Sequence, residues 1–542
     1  MYYMDEYIKW KNSPCLTDSQ RRELENTDET ETEDRFCAPL AFGTSGLRGV
    51  VGMGINRMNV FTLLQAVRAF AKSLPPDPLV VVCRDVRPSS DELSRAAACA
   101  LCEQGARVLY FTRPSPTPML SFAVRHYGAS GGMNVTASHN PTEYNGCKFY
   151  GSNGAQLGDD DTDKVAALMA EVPVLAPLPE SSFEGCLERG QIMYIDCDEE
   201  YTSAVLDCAL APKLLEDTDL RVVFSPFHGV GGSVMPGVFE RAGLKNVFYE
   251  PQQMIPDGTF PTLKNPNPED PRGFELSERL GKEKNADILV GTDPDADRVA
   301  VCVRDTDGSY VCLTGNKTGA LLCDYMLRHY RGSKPPVIIK TIVSTHLAES
   351  ICRTFGAECY STFTGFKNMA EKREELPDSQ QFVMCFEESI GCMIGDHVRD
   401  KDGISGSLLV CEMAAWYKSR GMTLLDGLRE LDGRYGAHDD YTINIVRKGV
   451  DGAEEIKAMM EYMRSNPPDS FLGRKVVETR DYLTGKNAHI SGSNVLEYRL
   501  EGGSRLLIRP SGTEPKIKIY ALTINMPSEA LARELEQRLA DR

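Results

Sequence analysis

Apolar and polar positions fall into blocks that repeat along the chain. Three segments share one plan: a continuous apolar run, a turn bearing Gly or Ser, a helix with a 3.6-residue apolar period, and a second short apolar run. They are "PLVVVCRDVRPSSDELSRAAACALCEQGARVLYF" from Pro78 to Phe111, "LRVVFSPFHGVGGSVMPGVFERAGLKNVFYE" from Leu220 to Glu250, and "PPVIIKTIVSTHLAESICRTFGAECYSTF" from Pro335 to Phe363. An unbroken apolar run reads as a strand covered on both faces, and strand-helix-strand units build parallel or mixed sheets. Three copies predict three related α/β domains.

The pattern changes after "ELDGRYG". A strand "DDYTINIV" and a helix near "AEEIKAMMEYMR" precede short strands around "NVLEYRL", "SRLLIRP" and "KIKIYALTI" and a closing helix. Strands in succession flanked by helices predict an α+β module on a mainly antiparallel sheet. Domain boundaries are expected near 195, 315 and 430, giving 1–195, 196–315, 316–430 and 431–542.

Length and composition agree with several globular domains. A chain of 542 residues exceeds what one core supports, and 42% hydrophobic with 25% charged residues is ordinary for folded proteins. The formal charge of −18 argues against nucleic acid or an anionic membrane as partner. An anionic ligand therefore has to be held by local cations. The 17 cysteines are scattered singly, many inside runs such as "VVVC" and "AVCV", and read as buried free thiols of a reducing cytosol. Cys99 and Cys102 form a C-x-x-C, but on an alanine-rich helical stretch that reads as core. The opening "MYYMDEYIKWKNSPC" lacks the basic and apolar regions of a signal peptide, and no apolar run approaches the ~18 residues of a membrane span. A cytoplasmic location is expected.

Four loops carry chemistry. In "ADILVGTDPDADRVAVCV", Asp293, Asp295 and Asp297 alternate right after an apolar run, so three carboxylates can converge on one hard divalent cation, read as magnesium. An EF-hand fails on register, with Arg298 and Arg304 where Gly and Glu belong. A phosphatase with an aspartyl nucleophile is disfavoured by Asp297, which stands where Thr or Val is wanted. "LLIRPSGTEPKIKIY" places Arg509, Ser511, Gly512 and Thr513 in a turn whose guanidinium, hydroxyls and amides suit a phosphate monoester. "VMCFEESIGCMIG" sets Glu387, Glu388 and Ser389 at a strand end as acceptors for sugar hydroxyls, and "AFGTSGLRGV" carries Arg48 in a loop of three glycines.

The stretch "GGMNVTASHNPTEYNGCK" holds Ser138, His139 and Lys148. A hydrolase serine sits on G-x-S-x-G or works with a distant histidine, and neighbours in extended backbone point apart, so His139 is not expected to be the base of Ser138. A better reading makes Ser138 a phosphoryl carrier beside the carboxylate turn, with His139, Lys148 and Arg48 contacting the phosphate or its acceptor.

Four motifs, "TASHNP" with "YNGCK", "DPDADR", "FEESIG" and "RPSGTEP", occur in the order seen in the α-D-phosphohexomutases, the superfamily of phosphoglucomutase and phosphomannomutase. The chain resembles this family from about residue 38 to its end, and more its long phosphoglucomutase branch, which also holds phosphopentomutases. The resemblance implies a fold of three related α/β domains and a C-terminal α+β domain around a central cleft. It implies that Ser138 is a phosphoserine, that Asp293, Asp295 and Asp297 with Ser138 hold Mg²⁺, and that Arg48, His139, Lys148 and Arg298 surround the transferring group. Lys148 is then the candidate general acid/base, its pKa expected to be depressed by neighbouring cations. Glu387 and Ser389 would recognise the sugar; Arg509, Ser511, Gly512 and Thr513 would grip the phosphate not being transferred. "TGFK", with Thr364, Gly365 and Lys367, is the neighbouring substrate loop. The expected activity is that of a phosphoglucomutase working through glucose 1,6-bisphosphate. Phosphomannomutase, phosphopentomutase, a magnesium-dependent phosphatase and an inactive sugar-phosphate binder are the alternatives.

Overall fold

The computed structural model describes residues 2–43, 46–447, 449–511 and 516–540. Each apolar run forms a strand where expected. The first sheet holds β1 (Leu47–Val50), β2 (Leu79–Arg84), β3 (Arg107–Phe111), β4 (Gly131–Val135), β5 (Tyr144–Gly151) and β6 (Ile192–Ile195) in the order β1-β5-β4-β2-β3-β6. β2 runs parallel to β3 and β4, as the first repeat predicts, whereas β5 is antiparallel to β4 and β1. Gly146 permits that last pairing, since a Cβ there would stand 2.5 Å from the Leu47 carbonyl oxygen. Helices Val60–Ser73 and Ser90–Glu103 supply Phe61, Phe70 and Leu101 to a core with Val80, Val82, Tyr110 and Phe149. Each such side chain contributes about 1.5–3 kcal/mol by leaving water.

The second sheet holds β7 (Arg221–Ser225), β8 (Asn246–Tyr249), β9 (Ile288–Thr292), β10 (Val299–Arg304) and β11 (Tyr310–Cys312) in the order β11-β10-β9-β7-β8. β7 is parallel to β8 and β9, and an antiparallel hairpin leads from β9 to β10. In the third repeat β12 (Pro336–Thr341) lies parallel to β13 (Glu358–Thr362) and β14 (Gln381–Phe386). A short strand β15 (Cys392–Ile394) precedes the long helix Gly403–Ser419. The tail forms β16 (His438–Val446), β17 (Ser470–Phe471), β18 (Arg474–Asp481), β19 (Leu496–Leu500), β20 (Arg505–Pro510) and β21 (Lys516–Ile524) in the order β16-β21-β20-β19-β18-β17. All of its pairings are antiparallel, and helices Gly449–Ser465 and Ser528–Ala540 complete its core through Met460, Met463, Leu531 and Leu535. β17 and β18 were not foreseen, because "RKVVETRD" is mostly charged and has only the adjacent Val476 and Val477 as apolar residues, too few to stand out.

The chain divides into two compact units, coarser than four domains. One contains Met1–Cys312, Gly365–Glu375 and Gly391–Ser419; the other contains Leu313–Thr364, Leu376–Ile390 and Arg420–Arg542. Within the first unit, helices Tyr2–Lys11, Asp18–Glu25 and Glu29–Phe36 form an N-terminal addition anchored by Trp10, which packs edge-on against Phe36 and Phe61.

The expectation of free thiols fails at one place. Antiparallel register sets Cys302 of β10 opposite Cys312 of β11, and the two are joined as a disulfide. The spacing of ten residues gave no hint of this, because the hairpin between them had not been foreseen. The remaining fifteen are free. Cys99 and Cys102 are core residues whose thiols burial pushes up to about 12. Among the described residues, no helix is long and apolar enough to cross a membrane.

Candidate active site

The serine loop joins β4 to β5. Ser138 takes a left-handed backbone conformation, φ 52°, which costs an L-residue roughly 1–2 kcal/mol. Arg87 holds the loop in that shape: its guanidinium donates to the carbonyls of Ser138 (2.8 Å), Asn140 (2.5 Å), Pro141 (2.7 Å) and Tyr144 (2.8 Å), and it is anchored in turn by Asp85. The Ser138 N–H is taken by Thr136 Oγ1 at 2.9 Å. The turn also corrects an expectation. Left-handed backbone cancels the alternation of side chains in extended chain, and His139 Nδ1 lies 3.3 Å from Ser138 Oγ instead of pointing away. The serine proton is nevertheless directed elsewhere, since Ser138 Oγ donates to Asp293 Oδ2 at 2.8 Å.

The carboxylate turn follows β9. Asp293, Asp295 and Asp297 are almost fully buried, and ligand oxygens from the three lie within 4.8 Å of one another. Asp293 Oδ1 accepts the backbone N–H groups of Asp297 and Arg298, which closes the turn around Ala296 at φ 56°. Thr117 Oγ1 and Lys148 Nζ both donate to Asp295 Oδ2 at 2.7 Å, and Lys148 reaches Asp297 Oδ2 at 2.8 Å. Among the described residues, Asp295 Oδ1 and Asp297 Oδ1 are buried without a hydrogen-bond partner; the nearest guanidinium nitrogen of Arg298 is 3.7 Å from the latter. Two orphaned carboxylate oxygens in a ring of three aspartates fit a hard divalent cation, which would supply the missing partner. Burial and the other two carboxylates push Asp293 well above the usual carboxylate range. Burial raises Asp295 and Asp297, and Asp295 adds to the rise at Asp297, but the opposing groups together prevail, Lys148, Asp293 and Thr117 at Asp295 and Lys148, Lys401 and Arg298 at Asp297, so both end below that range.

Lys148 sits on β5 opposite Asn134 of β4, which brings the far end of the serine motif back beside Ser138. Its pKa corrects a second expectation. Burial pulls the ammonium down, yet Asp295 and Asp297 outweigh both burial and the neighbouring Lys401, and Lys148 lies above the ordinary lysine value. The expected fall counted nearby cations alone, whereas two carboxylates are in direct contact. Arg48, on β1 beside β5, donates to Asn140 Oδ1 at 3.3 Å and is lowered by burial, with Arg298 adding to the fall. His139 is held far below 6.5 by burial and then by Arg298 and Arg48, so its ring is neutral at pH 7.

Two groups carry no clear mark in the sequence. Lys401, in "RDKD", places Nζ 3.3 Å from Asp297 Oδ2. It is carried there because Gly403, at the start of the helix, packs on the carboxylate turn: its N–H donates to the Ala296 carbonyl, and a Cβ would stand 2.5 Å from the Arg298 carbonyl oxygen. A run of alternating charges resembles a solvated turn; the signal lay in its position between two apolar segments. The other is Arg87, with Asp85, whose only sequence trace is "CRDVRPSS" at the end of the first repeat's strand.

Gly365, at φ 107°, opens the helix Phe366–Glu374, and Lys367 there pairs with Asp159. The other expected residues belong to the second unit. Thr364 lies at its edge, where the strand β13 gives way to this turn. Glu387 and Ser389 follow β14, and Glu388 Oε2 accepts from Thr341 Oγ1 at 3.2 Å. Arg509, one residue before the end of β20, pairs with Lys518 of β21 and acts on Tyr520 of that strand; burial raises that phenol, Glu388 and Glu387 add to the rise, and Arg509 opposes it. So Glu387, Glu388 and Arg509 share one electrostatic neighbourhood. The Ser511 N–H donates to the Lys516 carbonyl at 2.7 Å, while Gly512 and Thr513 lie outside the described residues.

Four domain models of one family match the chain in order: phosphoglucomutase/phosphomannomutase alpha/beta/alpha domains I, II and III over residues 39–173, 199–308 and 314–432, and the C-terminal domain over 450–542. The chain belongs to the phosphoglucomutase/phosphomannomutase family. A phosphoglucomutase of Staphylococcus aureus (strain N315) is 33% identical over 517 residues, 92% of each chain. A Thermus thermophilus protein assigned as a phosphomannomutase shares the fold at TM-score 0.72 and 25% identity, covering 93% of this chain and all of that one. The parafusin phosphoglucomutase of Paramecium, in an open form, does so at TM-score 0.70 and 19% identity, covering 93% and 95%. The family's first model begins at residue 39, so the N-terminal helices lie outside it.

Proposed function

We propose that the chain is a phosphoglucomutase, interconverting glucose 1-phosphate and glucose 6-phosphate through a phosphorylated Ser138 and glucose 1,6-bisphosphate. The observation that carries this reading is the hydrogen bond from Ser138 Oγ to Asp293 within a buried carboxylate turn flanked by Lys148 and Arg48. The Staphylococcus aureus relative, a phosphoglucomutase by name, supports the choice of sugar. The four-domain division at 195, 315 and 430 belongs to the same proposal.

In the first half-reaction the bond from Ser138 Oγ to phosphorus breaks as the free sugar hydroxyl forms its own, giving the bisphosphate. The intermediate turns end for end and returns its other phosphoryl to Ser138. Asp293, Asp295, Asp297 and the phosphoserine would hold a magnesium ion, which when bound offsets charge on the transferring oxygens. Arg48 and Lys401 add positive charge around the same oxygens, and neutral His139 donates or accepts a hydrogen bond there without a charge of its own. Lys148, held protonated by two carboxylates, donates a proton to Ser138 Oγ as the phosphoryl leaves and is restored by the proton that the sugar hydroxyl gives up; the return step runs the same transfer in reverse. Glu387 and Ser389 bind sugar hydroxyls; Arg509, Ser511, Gly512 and Thr513 bind the phosphate not being transferred, and Thr364, Gly365 and Lys367 form a further substrate loop. Lys367 would have to exchange Asp159 for substrate.

The test is the intact mass of the purified protein with the modified residue mapped. Phosphate on Ser138 that disappears on incubation with glucose 1-phosphate is the expected result, together with a higher kcat/KM for glucose than for mannose or ribose 1-phosphate. A preference for either of the latter assigns the chain to phosphomannomutase or phosphopentomutase; an unphosphorylated Ser138 in an active enzyme sinks the mechanism.

A further inference from the structure

Cys208, a buried cysteine, follows the helix Asp198–Leu206 in the first compact unit. Its sulfur lies 3.6 Å from His397 Nδ1, and His397 Nε2 is 2.8 Å from Asp402 Oδ2. Asp402 is fully buried and fixed on its other oxygen by Tyr201 Oη (2.9 Å) and the N–H groups of Ile404 (2.8 Å) and Ser405 (3.1 Å). A thiol, an imidazole and an oriented carboxylate in line form the arrangement that generates a reactive thiolate. The other contacts of the sulfur are weak, to the carbonyls of Ala204 at 3.5 Å and Ile394 at 3.6 Å. Burial lowers His397, but Asp402 and Cys208 together outweigh it and raise the ring to about 10. At neutral pH an imidazolium therefore faces the sulfur and favours its thiolate. Burial pushes the Cys83, Cys99 and Cys102 thiols up to about 12, and among the described residues exposed Cys37 meets the Asp34 carbonyl and Asn56 Nδ2, with no imidazole beside it.

The loop from Gly395 to Asp402 links this triad to the proposed active site. Gly395 packs so closely that a Cβ there would stand 2.9 Å from Cys208 Sγ. Asp402 directly follows Lys401, whose ammonium is 3.3 Å from Asp297 Oδ2. An oxygen added to the sulfur on this side meets Gly395, and a displacement of the loop there passes along the chain to Lys401.

We propose that Cys208 is a peroxide-sensitive modification site, and that its oxidation to a sulfenic acid lowers activity by displacing the loop that carries Lys401. The second half of this rests on the mutase reading above; the first does not. In the step, Cys208 loses its proton to solvent and the thiolate, held by the His397 imidazolium, attacks one oxygen of hydrogen peroxide; the proton lost to solvent later restores His397. An S–O bond forms, the O–O bond breaks, sulfur loses two electrons to the peroxide, and the leaving hydroxide takes the proton from His397 Nδ1 to become water. Two equivalents of a small thiol reverse the change, releasing water and a disulfide of the reductant.

The full-length protein is treated with limiting hydrogen peroxide in the presence of dimedone, and the adducts are mapped by mass spectrometry. Cys208 is expected to be labelled about tenfold faster than exposed Cys37, and His397→Asn is expected to remove that advantage. Labelling of Cys37 first in the wild type overturns the proposal without any variant. Parallel assays with glucose 1-phosphate are expected to show a loss of turnover that dithiothreitol restores and Cys208→Ser prevents; equal loss in Cys208→Ser overturns the coupling. If the protein is inactive on every sugar phosphate, the labelling order still decides the site, so failure of the mutase reading and failure of the thiol site remain distinct.

Discussion

Ser138 Oγ donates a 2.8 Å hydrogen bond to Asp293 Oδ2 across 155 positions of sequence. The candidate phosphoryl carrier and the first carboxylate of the candidate metal turn are thus already in register. Replacing Ser138 by Ala removes the carrier and leaves the surrounding hydrogen bonds to Arg87 intact. Turnover of glucose 1-phosphate is expected to fall by about 10³-fold or more with unchanged circular dichroism. Activity within about tenfold of wild type excludes the serine mechanism.

Arg87 and Asp85 form a fully buried pair, and Arg87 spans four carbonyls of the serine loop. Arg87→Met leaves Asp85 buried without its partner, a loss of about 3–5 kcal/mol in unfolding free energy. Arg87→Lys keeps the charge but cannot reach four acceptors at once. Lysine is therefore expected to recover more stability, read by urea unfolding, than kcat, and equal recovery of both would show that the loop does not need the fork.

The orphaned oxygens of Asp295 and Asp297 predict a stability response to magnesium. At a free concentration of about 100 times Kd, the ion is expected to raise unfolding free energy by about 2.7 kcal/mol. Asp295→Asn with Asp297→Asn is expected to lose that increment. A melting temperature indifferent to magnesium and to EDTA in the wild type argues against the site.

Among the described residues, both ring nitrogens of His346 in the second unit are buried without a hydrogen-bond partner, and burial, with Arg505 and His438, lowers it to about 2. Its folded-state pKa is below the unfolded value of about 6.5, so the unfolded chain binds the extra proton. The stability that the neutral ring permits is complete above pH 6.5 and declines as pH falls toward 2. Between pH 6.5 and 5 the loss is about 2 kcal/mol. His346→Phe is expected to flatten this part of the profile in urea titrations at the two pH values; identical slopes would show that His346 finds a proton acceptor in acid.

Much of this was legible in the chain. Apolar runs located the strands of all three repeats, since a strand covered on both faces has to be apolar throughout. Asp293, Asp295 and Asp297 were readable as a group because a turn of five residues places them together by itself. Arg87 and Lys401 were not, because their partners are carbonyls and carboxylates 50 or more residues away and nothing local marks them. The two errors of sign have the same origin. Lys148 was expected to be acidified by cations, but its energy is set by two carboxylates at 2.7 and 2.8 Å, and His139 was expected to point away until Ser138 turned left-handed. Cys302 and Cys312 became a disulfide through cross-strand register, which no spacing encodes.

By itself, then, the sequence determined which elements form, in what order, and which short loops carry reactive groups, because propensity, periodicity and turn chemistry act over a few residues. Tertiary structure decided the protonation of Lys148 and His139, the direction of the Ser138 hydroxyl and the company of Cys208. Those depend on burial and on charges brought within about 4 Å, where electrostatic energies outweigh anything the local chain can specify.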